Sequence, residues 1–298
     1  MALFEGISAF PITPTDPQGI VDTDGIIRLV SHLAYAGVDS IGLLGSTGTY
    51  AYLTRAERRR AVRAAVEAVE GRTPLMVGVG ALRTNDAQDL ARDAEAEGAD
   101  GLLMAPVSYT PLTQEEVYEH YLAVASVTRL PLCIYNNPGT TRFIFSAGLL
   151  DRLAGVPNIA AVKMPLPSSG AIDAELEDLR KRPAGALAIG YSGDWGMADA
   201  LLAGANAFYS VLAGFLPVVA MRFAAAAKGG DRQEMLRLVG HVQPLWDLFR
   251  EFGGLRVAYV AAEELDLCRA SLPKPILPVS DDNRVRVTDA LRAALSIV

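Results

Sequence analysis

The chain has 298 residues, of which 51% are hydrophobic and 20% are charged, and this composition excludes a disordered or low-complexity protein. Its 27 Lys and Arg against 34 Asp and Glu give a formal net charge of −7, which lacks the basic surface that a nucleic-acid partner requires. The first residues carry no basic region followed by a long apolar stretch, and no apolar run is long enough for a membrane span, so we expect a cytoplasmic protein that is neither exported nor embedded.

Short apolar runs bounded by Gly, Pro or Asn alternate along the chain with longer segments of helical periodicity. This alternation is typical of βα units in a parallel sheet. The intervening segments, such as 55–70 and 84–97, carry charge on one side and Ala, Val or Leu on the other. The eight predicted strands are residues 6–10, 40–44, 75–79, 101–105, 132–135, 159–163, 186–189 and 207–210.

Glycine recurs where a predicted helix ends and the next strand is about to begin, at Gly37, Gly98 and Gly204. Glycine adopts the left-handed conformation of a helix C-terminus at little cost. The first strand is followed by Pro11-Ile12-Thr13-Pro14, which lacks the glycine-rich phosphate loop of a doubly wound sheet. The sequence therefore predicts an α/β fold of the (β/α)8 TIM barrel type.

The domain organisation follows from where the eighth unit ends. We expect the barrel to occupy residues 1–222 and a helical C-terminal extension, packed on the barrel, to occupy residues 223–298. The extension is helical in pattern over 223–262 and near 288–297, with a proline-punctuated stretch at 272–278. A separate binding domain is the alternative, but this segment is short for a core of its own.

The histidines and cysteines do not form a recognisable metal or disulfide pattern. His32, His120 and His241 lie far apart on helical segments, where we expect them to be partly exposed rather than metal ligands. Cys133 and Cys268 form neither a CxxC pair nor a disulfide framework, which fits a reducing cytoplasm. The sequence predicts no metal.

Lysine is scarce, and one of the four lysines stands at a special position. Lys181, Lys228 and Lys274 lie in solvated segments, whereas Lys163 ends the apolar run of strand six. The C-terminal ends of barrel strands build the active site, and burial there favours a neutral, nucleophilic amine. Such an amine forms a Schiff base with a ketone, which then accepts electrons while an adjacent C–C bond breaks or forms. A lysine that pairs with a carboxylate at the rim is the equal alternative from spacing alone.

Tyr135 ends strand five, the neighbour of the strand that carries Lys163. Because adjacent strands lie about 4.8 Å apart, the phenol and the amine can share a pocket. A tyrosine at that place can transfer protons while the Schiff base forms and the C–C bond is cleaved. Without the lysine, a tyrosine packed at the rim would be the default interpretation.

Three further loops lie at the same predicted end of the barrel, and each has two readings. Residues 45–49, Gly-Ser-Thr-Gly-Thr, either bind a small anion through backbone N–H groups or form a tight turn. Residues 106–111, with Tyr109, form either a pocket wall or a subunit contact. Residues 190–194, which follow predicted strand seven, form either a pocket floor or an ordinary loop.

Three of these motifs, in their order and strand positions, resemble one enzyme family across nearly the whole chain. The chain is similar to the dihydrodipicolinate synthase and N-acetylneuraminate lyase family of class I aldolases. The resemblance is carried by Gly45-Ser46-Thr47-Gly48, Tyr135-Asn136-Asn137-Pro138 and Val162-Lys163.

The resemblance implies a lyase that binds pyruvate or another 2-oxo acid as an imine on Lys163, without metal or organic cofactor. The implied catalytic residues are Lys163, Tyr135, Thr47 and Tyr109, and the implied substrate-binding residues are Ser46, Thr47, Gly48, Thr140 and Gly190. Tyr135 would transfer protons, and Ser46 and Thr47 would hold the substrate carboxylate and assist the relay. Tyr109 would complete the relay in a neighbouring subunit, because family members are commonly homotetramers built as dimers of dimers.

Several positions depart from the family pattern and bear on the substrate. Biosynthetic members usually carry an arginine where this chain has Thr140, and Arg142 follows two residues later. Threonine cannot replace the bidentate recognition of a carboxylate by arginine. Family members carry a glutamate after the loop motif and another after the lysine, and this chain has Thr49 and Met164 at those positions. Where the family has two adjacent tyrosines, this chain has Val107-Ser108, and Tyr109 is displaced.

The leading hypothesis is therefore a Schiff-base lyase that catalyses reversible aldol cleavage or condensation, or dehydration, of a 2-oxo acid. A biosynthetic family member that condenses pyruvate with aspartate semialdehyde is the first alternative, and turnover of that aldehyde despite Thr140 would favour it. A non-catalytic barrel that binds a 2-oxo acid is the second, because the tyrosine pair is missing. A phosphate-binding barrel enzyme is disfavoured, since no glycine-rich loop follows strands seven and eight in the expected form.

Overall fold

Alternating apolar runs and amphipathic segments build a closed barrel of eight parallel strands, and the predicted (β/α)8 TIM barrel is confirmed in the computed structural model, which describes residues 3–297. Neighbours in sequence pair in order, and the last strand pairs with the first. Residues 1, 2 and 298, the outer ends of the two predicted segments, lie outside the described residues. The strands are β1 (Gly6–Ala9), β2 (Ser40–Leu43), β3 (Leu75–Gly78), β4 (Gly101–Met104), β5 (Leu132–Tyr135), β6 (Ile159–Pro165), β7 (Ala188–Ser192) and β8 (Ala207–Ser210).

Two strands differ from the prediction in a way that matters for the site. β6 continues for two residues after Lys163, so this lysine lies within the strand and does not end it. β7 begins two residues later than predicted, because Pro183–Ala186 form a 3₁₀ helix, and it continues to Ser192. Gly190 therefore lies in the strand and not in the loop after it.

Helices cover the outside of the barrel, and none of those in the described residues is long and apolar enough to cross a membrane. The predicted segment 84–97 is confirmed as a helix, and segment 55–70 ends one residue earlier than predicted. The helices are α1 (Thr23–Tyr35), α2 (Arg55–Val69), α3 (Thr84–Glu97), α4 (Gln114–Ala125), α5 (Pro138–Thr141), α6 (Ala147–Ala154), α7 (Ile172–Arg180), α8 (Met197–Leu202), α9 (Pro217–Lys228), α10 (Arg232–Phe252), α11 (Gly254–Glu264) and α12 (Asp281–Leu295).

The three junction glycines have the backbone conformation that the sequence predicts. Gly37, Gly98 and Gly204 have φ angles of +77°, +96° and +79°, which is the left-handed region. A residue with a Cβ would be strained at these φ angles. At each of these three junctions, the turn from helix to strand therefore depends on glycine.

Side chains alternate between the two faces of the barrel wall, and the inner face is closely packed. Cys133 of β5 belongs to the cluster inside the barrel, whereas its neighbours Leu132 and Ile134 pack under the helices. Glycines make room inside: a Cβ at Gly42 would lie 2.3 Å from the ring of Phe10. The inside of the barrel is a filled core, and a cavity lies at the C-terminal ends of its strands.

The described residues after the predicted boundary contain part of α9 and the helices α10, α11 and α12. The predicted boundary at residues 222 and 223 falls within α9, so the helix runs across it. The predicted helical segment 223–262 contains parts of three helices, α9, α10 and α11. The last helix, α12, begins at Asp281 rather than near residue 288, and the carboxylates of Asp281 and Asp282 in its first turn are favoured at a helix N-terminus.

Two aromatic contacts hold α10 in place, one to α9 and one to the barrel. Trp246 of α10 is fully buried with its ring 5.7 Å from that of Phe223. Phe249, one turn further along α10, lies 6.3 Å from Phe215, which follows β8. These contacts fix the end of α10 above the barrel.

The histidines and cysteines are placed largely as expected, with one correction. His120 is buried rather than partly exposed, because it lies on the inward side of α4 and its Nδ1 shares a 3.0 Å hydrogen bond with the Thr84 hydroxyl. Cys133 and Cys268 are both free thiols. Within residues 3–297, no group of three or more His, Cys, Asp or Glu side chains could hold a metal.

Ion pairs between α2 and α3 predict a pH dependence of stability. The carboxylate of Glu97 accepts hydrogen bonds from Arg59 and Arg63, and these bonds hold its pKa at about 2 instead of 4.5. Because the folded pKa is lowered, the stabilisation is complete above pH 4.5 and is lost as the pH falls through about 2. Both arginines are half exposed, so we expect Glu97→Gln to lower the free energy of unfolding at pH 7 by about 1 kcal/mol or less.

The measurement is denaturant unfolding of wild type and Glu97→Gln between pH 7 and pH 2. The difference between the two proteins should be constant above pH 5 and should shrink towards pH 2. Glu177→Gln is the matched control, since Glu177 pairs with Lys181 within a fully exposed i,i+4 pair. A difference for Glu97→Gln that grows on acidification would contradict the prediction.

Candidate active site

Lys163 lies inside the barrel near its C-terminal end, and aromatic rings surround its amine. The side chain is only 4% exposed. Its Nζ lies 3.8 Å from the ring centre of Phe10, 4.2 Å from that of Tyr135 and 5.4 Å from that of Tyr209. Within the described residues no carboxylate lies within ion-pair distance of this amine, so the alternative of a rim lysine paired with a carboxylate is not what the structure contains.

Tyr135 and Lys163 are register partners on β5 and β6, which is why the phenol and the amine share the cavity. The phenol oxygen of Tyr135 lies 3.3 Å from Oγ of Ser46, and either hydroxyl can donate. The side-chain amide of Asn137 donates to the same Oγ over 3.4 Å. A hydroxyl pair is thereby positioned beside the amine.

The loop after β2 brings Ser46 to this position through an unusual backbone. Leu44 and Thr49, at its two ends, both have left-handed backbone conformations, with φ of 56° and 52°. Gly45 packs under Phe10, because a Cβ would lie 2.6 Å from the ring. The backbone N–H groups of Ser46 and Thr47 find no acceptor among the described residues, so they are free to bind an anion.

The hydroxyl groups of Thr47 and Ser46 have different contacts. Thr47 is 7% exposed and lines the cavity, but its hydroxyl has no hydrogen-bond partner among residues 3–297. Ser46 holds the hydroxyl that contacts Tyr135. The Ser46 hydroxyl therefore contacts the phenol of Tyr135, and the Thr47 hydroxyl is available to a ligand.

The cavity above Lys163 has a volume of about 1000 Å³. It is large enough for a small 2-oxo acid together with a second substrate. Strand ends, the loops that follow them and the C-terminal extension all contribute to its wall. The lining residues include Phe10, Ser46, Thr47, Thr49, Tyr50, Val107, Tyr135, Asn137, Gly139, Thr140, Thr141, Lys163, Ser192, Gly193, Asp194, Trp195, Tyr209, Val211, Phe249, Arg250, Gly254, Leu255 and Ile276.

Three residues of the predicted site are not among those that line the cavity. Gly48 supports the loop from behind, where a Cβ would lie 3.0 Å from the Leu44 backbone. Gly190 lies beside Lys163 in register, and a Cβ there would be 2.6 Å from the ring of Tyr209. Tyr109 is 96% exposed and lies outside the cavity of its own chain.

The residues that depart from the family pattern lie partly inside and partly outside the cavity wall. Thr140 and Thr49 line the cavity, whereas Arg142 is exposed and does not. Met164 packs outside the barrel wall, where its sulfur lies 3.6 Å from the side-chain nitrogen of Asn136. Val107 forms part of the cavity wall, so the loop after β4 contributes an apolar surface where the family has a tyrosine pair.

Tyr50 is a cavity residue that the sequence reasoning missed. Its ring is stacked on the buried guanidinium of Arg58, 5.0 Å away, and Arg58 donates to the carbonyl oxygen of Gly80. Burial, with a smaller contribution from Tyr135, raises the pKa of Tyr50 to about 12. Tyr50 therefore stays protonated at neutral pH and is fixed in place.

Asp194 organises the loop after β7. Its carboxylate accepts hydrogen bonds from the hydroxyl of Ser210 at 2.5 Å and from the backbone N–H groups of Val211 and Leu212. Burial raises the pKa of Asp194, and these hydrogen bonds act in the opposite direction. The next residue, Trp195, is thereby positioned at the cavity wall.

Phe10, Tyr209 and Arg250 were also missed. Phe10 and Tyr209 could have been found by strand alternation. Each lies in a predicted strand at one of the alternate positions whose side chains face the barrel interior. Nothing in the local sequence indicates that Arg250, far along a helix of the extension, returns to the cavity.

Comparison with known proteins agrees with this architecture. The profile of the dihydrodipicolinate synthetase family matches residues 3–294. A relative from Alkalilimnicola ehrlichii named 4-hydroxy-tetrahydrodipicolinate synthase is 33% identical over 297 residues, covering 99% of this chain and 100% of the relative.

Two solved structures extend the comparison. Dihydrodipicolinate synthase from Agrobacterium tumefaciens is 57% identical with a TM-score of 0.96, over 98% of both chains. The chloride-inhibited dihydrodipicolinate synthase from Acinetobacter baumannii, complexed with pyruvate, is 28% identical with a TM-score of 0.88, over 99% of this chain and 100% of that one. The predicted resemblance is confirmed, and the chain belongs to the dihydrodipicolinate synthetase family, whose members are lyases of the class I aldolase type.

Proposed function

We propose that this lyase binds pyruvate or a related 2-oxo acid as an imine on Lys163 and uses the imine to make or break a C–C bond, or to eliminate water. The observation that carries the proposal is the buried amine of Lys163, which faces the cavity without a carboxylate partner. The aromatic rings around it exclude water from the reacting nitrogen. An amine held in this way is available as a nucleophile.

The chemistry begins when Nζ of Lys163 attacks the C2 carbonyl carbon of the 2-oxo acid. Loss of water leaves an iminium, and removal of a proton from C3 converts it to an enamine. The enamine carbon forms a bond to the carbonyl carbon of an aldehyde, whose oxygen takes up a proton. Water then hydrolyses the iminium, which releases the product and restores the amine, and the reverse sequence cleaves the same bond.

Tyr135 is the proton-transfer residue in this proposal, with Ser46 as its partner. The phenol lies next to both the amine and the Ser46 hydroxyl, so a proton can pass between the reacting oxygen and the hydroxyl pair. The free N–H groups of Ser46 and Thr47 bind the carboxylate of the 2-oxo acid. Thr140 lines the part of the cavity in which the second substrate binds.

Borohydride trapping tests the proposal directly. Incubation with pyruvate followed by reduction should leave one reduced pyruvyl group per chain, on the peptide that carries Lys163. The other three lysines are internal controls and should stay unmodified, because reversible imines on exposed amines are rarely populated. Pyruvate that binds without leaving an adduct on Lys163 would contradict the imine and would favour a barrel that binds a 2-oxo acid without turnover.

A second candidate is 4-hydroxy-tetrahydrodipicolinate synthase itself, with aspartate semialdehyde as the aldehyde. The names of the relatives favour it, and so does the 57% identity to one solved synthase. Thr140 argues against this candidate. The arginine expected to bind the carboxylate of that aldehyde is absent at this position after β5. Turnover of pyruvate with aspartate semialdehyde separates the two candidates.

The assembly proposed for this enzyme is a homotetramer, a dimer of dimers, in the cytoplasm. Tyr109 is almost fully exposed although it follows closely after Val107 of the cavity wall. An exposed aromatic side chain at that place supports a contact in which Tyr109 reaches the site of a neighbouring subunit. Two buried, unpaired thiols support a reducing compartment.

A further inference from the structure

The wall of the cavity contains one arginine, Arg250, among the described residues. Among the described lining residues, only Lys163 and Arg250 are basic. Arg142, the arginine nearest in sequence to the position where the family carries one, is exposed and outside the cavity. The guanidinium available to a substrate in this chain therefore comes from the C-terminal extension and not from the loop after β5.

Arg250 is held at the cavity wall by contacts on both sides. Its neighbour Phe249 packs against Phe215 of the barrel, which fixes the last turn of α10. Its guanidinium carbon lies 5.1 Å from the ring centre of Trp195, in a cation–π arrangement. An arginine stacked in this way keeps its N–H groups directed away from the ring and free for a planar anion.

No carboxylate of the cavity neutralises this guanidinium. Asp194, the acidic lining residue, is committed to Ser210 and to two backbone N–H groups. Asp247 accepts one long hydrogen bond of 3.4 Å from Arg250, but its side chain is 59% exposed and lies outside the cavity. A pair of this kind is weak and is readily exchanged for a better anion.

We propose that Arg250, stacked on Trp195, is the carboxylate-binding residue of the second-substrate subsite, so that the aldehyde partner of the 2-oxo acid carries its own carboxylate. The inference rests on the proposed function, because it assumes that Lys163 holds the 2-oxo acid. It names the substrate class as a carboxylate-bearing aldehyde, or in the reverse direction a 2-oxo acid with a second, distal carboxylate. Arg250 recognises the substrate and takes no part in proton transfer.

Apolar residues in the wall of the same cavity support this assignment. Trp195, which contacts Arg250, together with Leu255 and Ile276 offers a surface for the carbon chain of an aldehyde. A guanidinium beside such a surface binds a carboxylate more strongly than one in free solution. A polyhydroxylated neutral aldehyde would leave the guanidinium without its anion.

The test compares binding of succinate semialdehyde with binding of its uncharged methyl ester. The pyruvate adduct is first reduced with borohydride, so that the aldehyde can bind but cannot react, and the fluorescence of Trp195 reports binding. Trp195→Phe establishes that the signal comes from this residue and not from the buried Trp246. We expect the semialdehyde to bind about tenfold to a hundredfold more tightly than the ester.

Arg250→Met should remove this preference and leave the ester unaffected, and Arg250→Lys should retain part of it. Arg142→Met is the matched control, an exposed arginine outside the cavity, and should keep the full preference. Equal affinity for the two compounds in the wild type, binding of neither, or a preference that persists in Arg250→Met would overturn the proposal.

Failure of the imine can be told apart from failure of this inference. Arg250→Met should form the borohydride-trapped pyruvate adduct as the wild type does, because Arg250 is assigned to the aldehyde and not to the 2-oxo acid. If the wild type forms no adduct, the same fluorescence titration is made on the unreduced protein. A lost preference in Arg250→Met would then still support the carboxylate subsite, while the imine on Lys163 would have failed.

Discussion

Lys163→Met is expected to abolish both the trapped pyruvate adduct and turnover while raising the midpoint of thermal unfolding. The amine is the nucleophile of the proposed reaction, and methionine offers none. The substitution should not destabilise the barrel, because Lys163 is 4% exposed and no carboxylate among residues 3–297 forms an ion pair with it. Methionine fills the same volume against the rings of Phe10 and Tyr209 without a polar group to desolvate, so we expect a gain of about 1 kcal/mol.

The measurements are peptide mapping after borohydride reduction, steady-state rates and calorimetric unfolding at neutral pH. Lys228→Met is the matched control, since Lys228 ends α9 at the surface, and it should keep the adduct and the rate. Lys163→Arg asks whether a cation alone is enough, and it should be as inactive as Lys163→Met. Residual adduct formation in either Lys163 variant would place the imine elsewhere, and a loss of stability would show that the amine has a structural role.

The fold was predictable to a large extent because its signals are local. Apolar runs, helical periodicity and the three junction glycines each determine the structure of the residues that carry them, and all three agree. The prediction failed at β7, where Gly190 looked like the end of a strand. The strand continues through Gly190 because it pairs with β6 as far as Ser192, and glycine fits there because the ring of Tyr209 occupies the space of a Cβ. Both contacts join different strands and have no local sequence signal.

The site was predictable where residue type and strand position coincide. Lys163 and Tyr135 stand on adjacent strands at the open end of the barrel, and parallel pairing brings them together. The different contacts of the Ser46 and Thr47 hydroxyls were not predictable, because they depend on the left-handed turns at Leu44 and Thr49. Two neighbouring hydroxyls in a loop carry no sequence signal for which of them faces the phenol.

The position of Arg250 at the cavity could not be predicted from the sequence for a different reason. Its position depends on how a helix of the extension packs, with Phe249 against Phe215 and Trp195 against the guanidinium. Such contacts join segments that are distant along the chain, and helical periodicity is unable to specify them. Thr140 and Arg250 line the same cavity although they are 110 residues apart in the sequence.

Tyr135→Phe is expected to lower kcat about 100-fold to 1000-fold while leaving the fold and the adduct in place. Phenylalanine keeps the ring beside the amine of Lys163 and removes only the hydroxyl, which shares a 3.3 Å hydrogen bond with Ser46. Loss of a hydrogen bond of this length should cost no more than about 1 kcal/mol of stability. Adduct formation should be slower but should reach completion, because the nucleophile remains.

Tyr121→Phe is the matched control, because its buried hydroxyl donates to the carbonyl oxygen of Met104 outside the cavity. It should lower stability without changing kcat, the opposite pattern to Tyr135→Phe. The two variants together separate the chemistry of a phenol from the cost of removing any buried hydroxyl. If Tyr135→Phe kept the wild-type kcat, proton transfer would have to pass through another hydroxyl of the cavity, and Tyr50, which stays protonated because its pKa is raised to about 12, would be the next residue to replace.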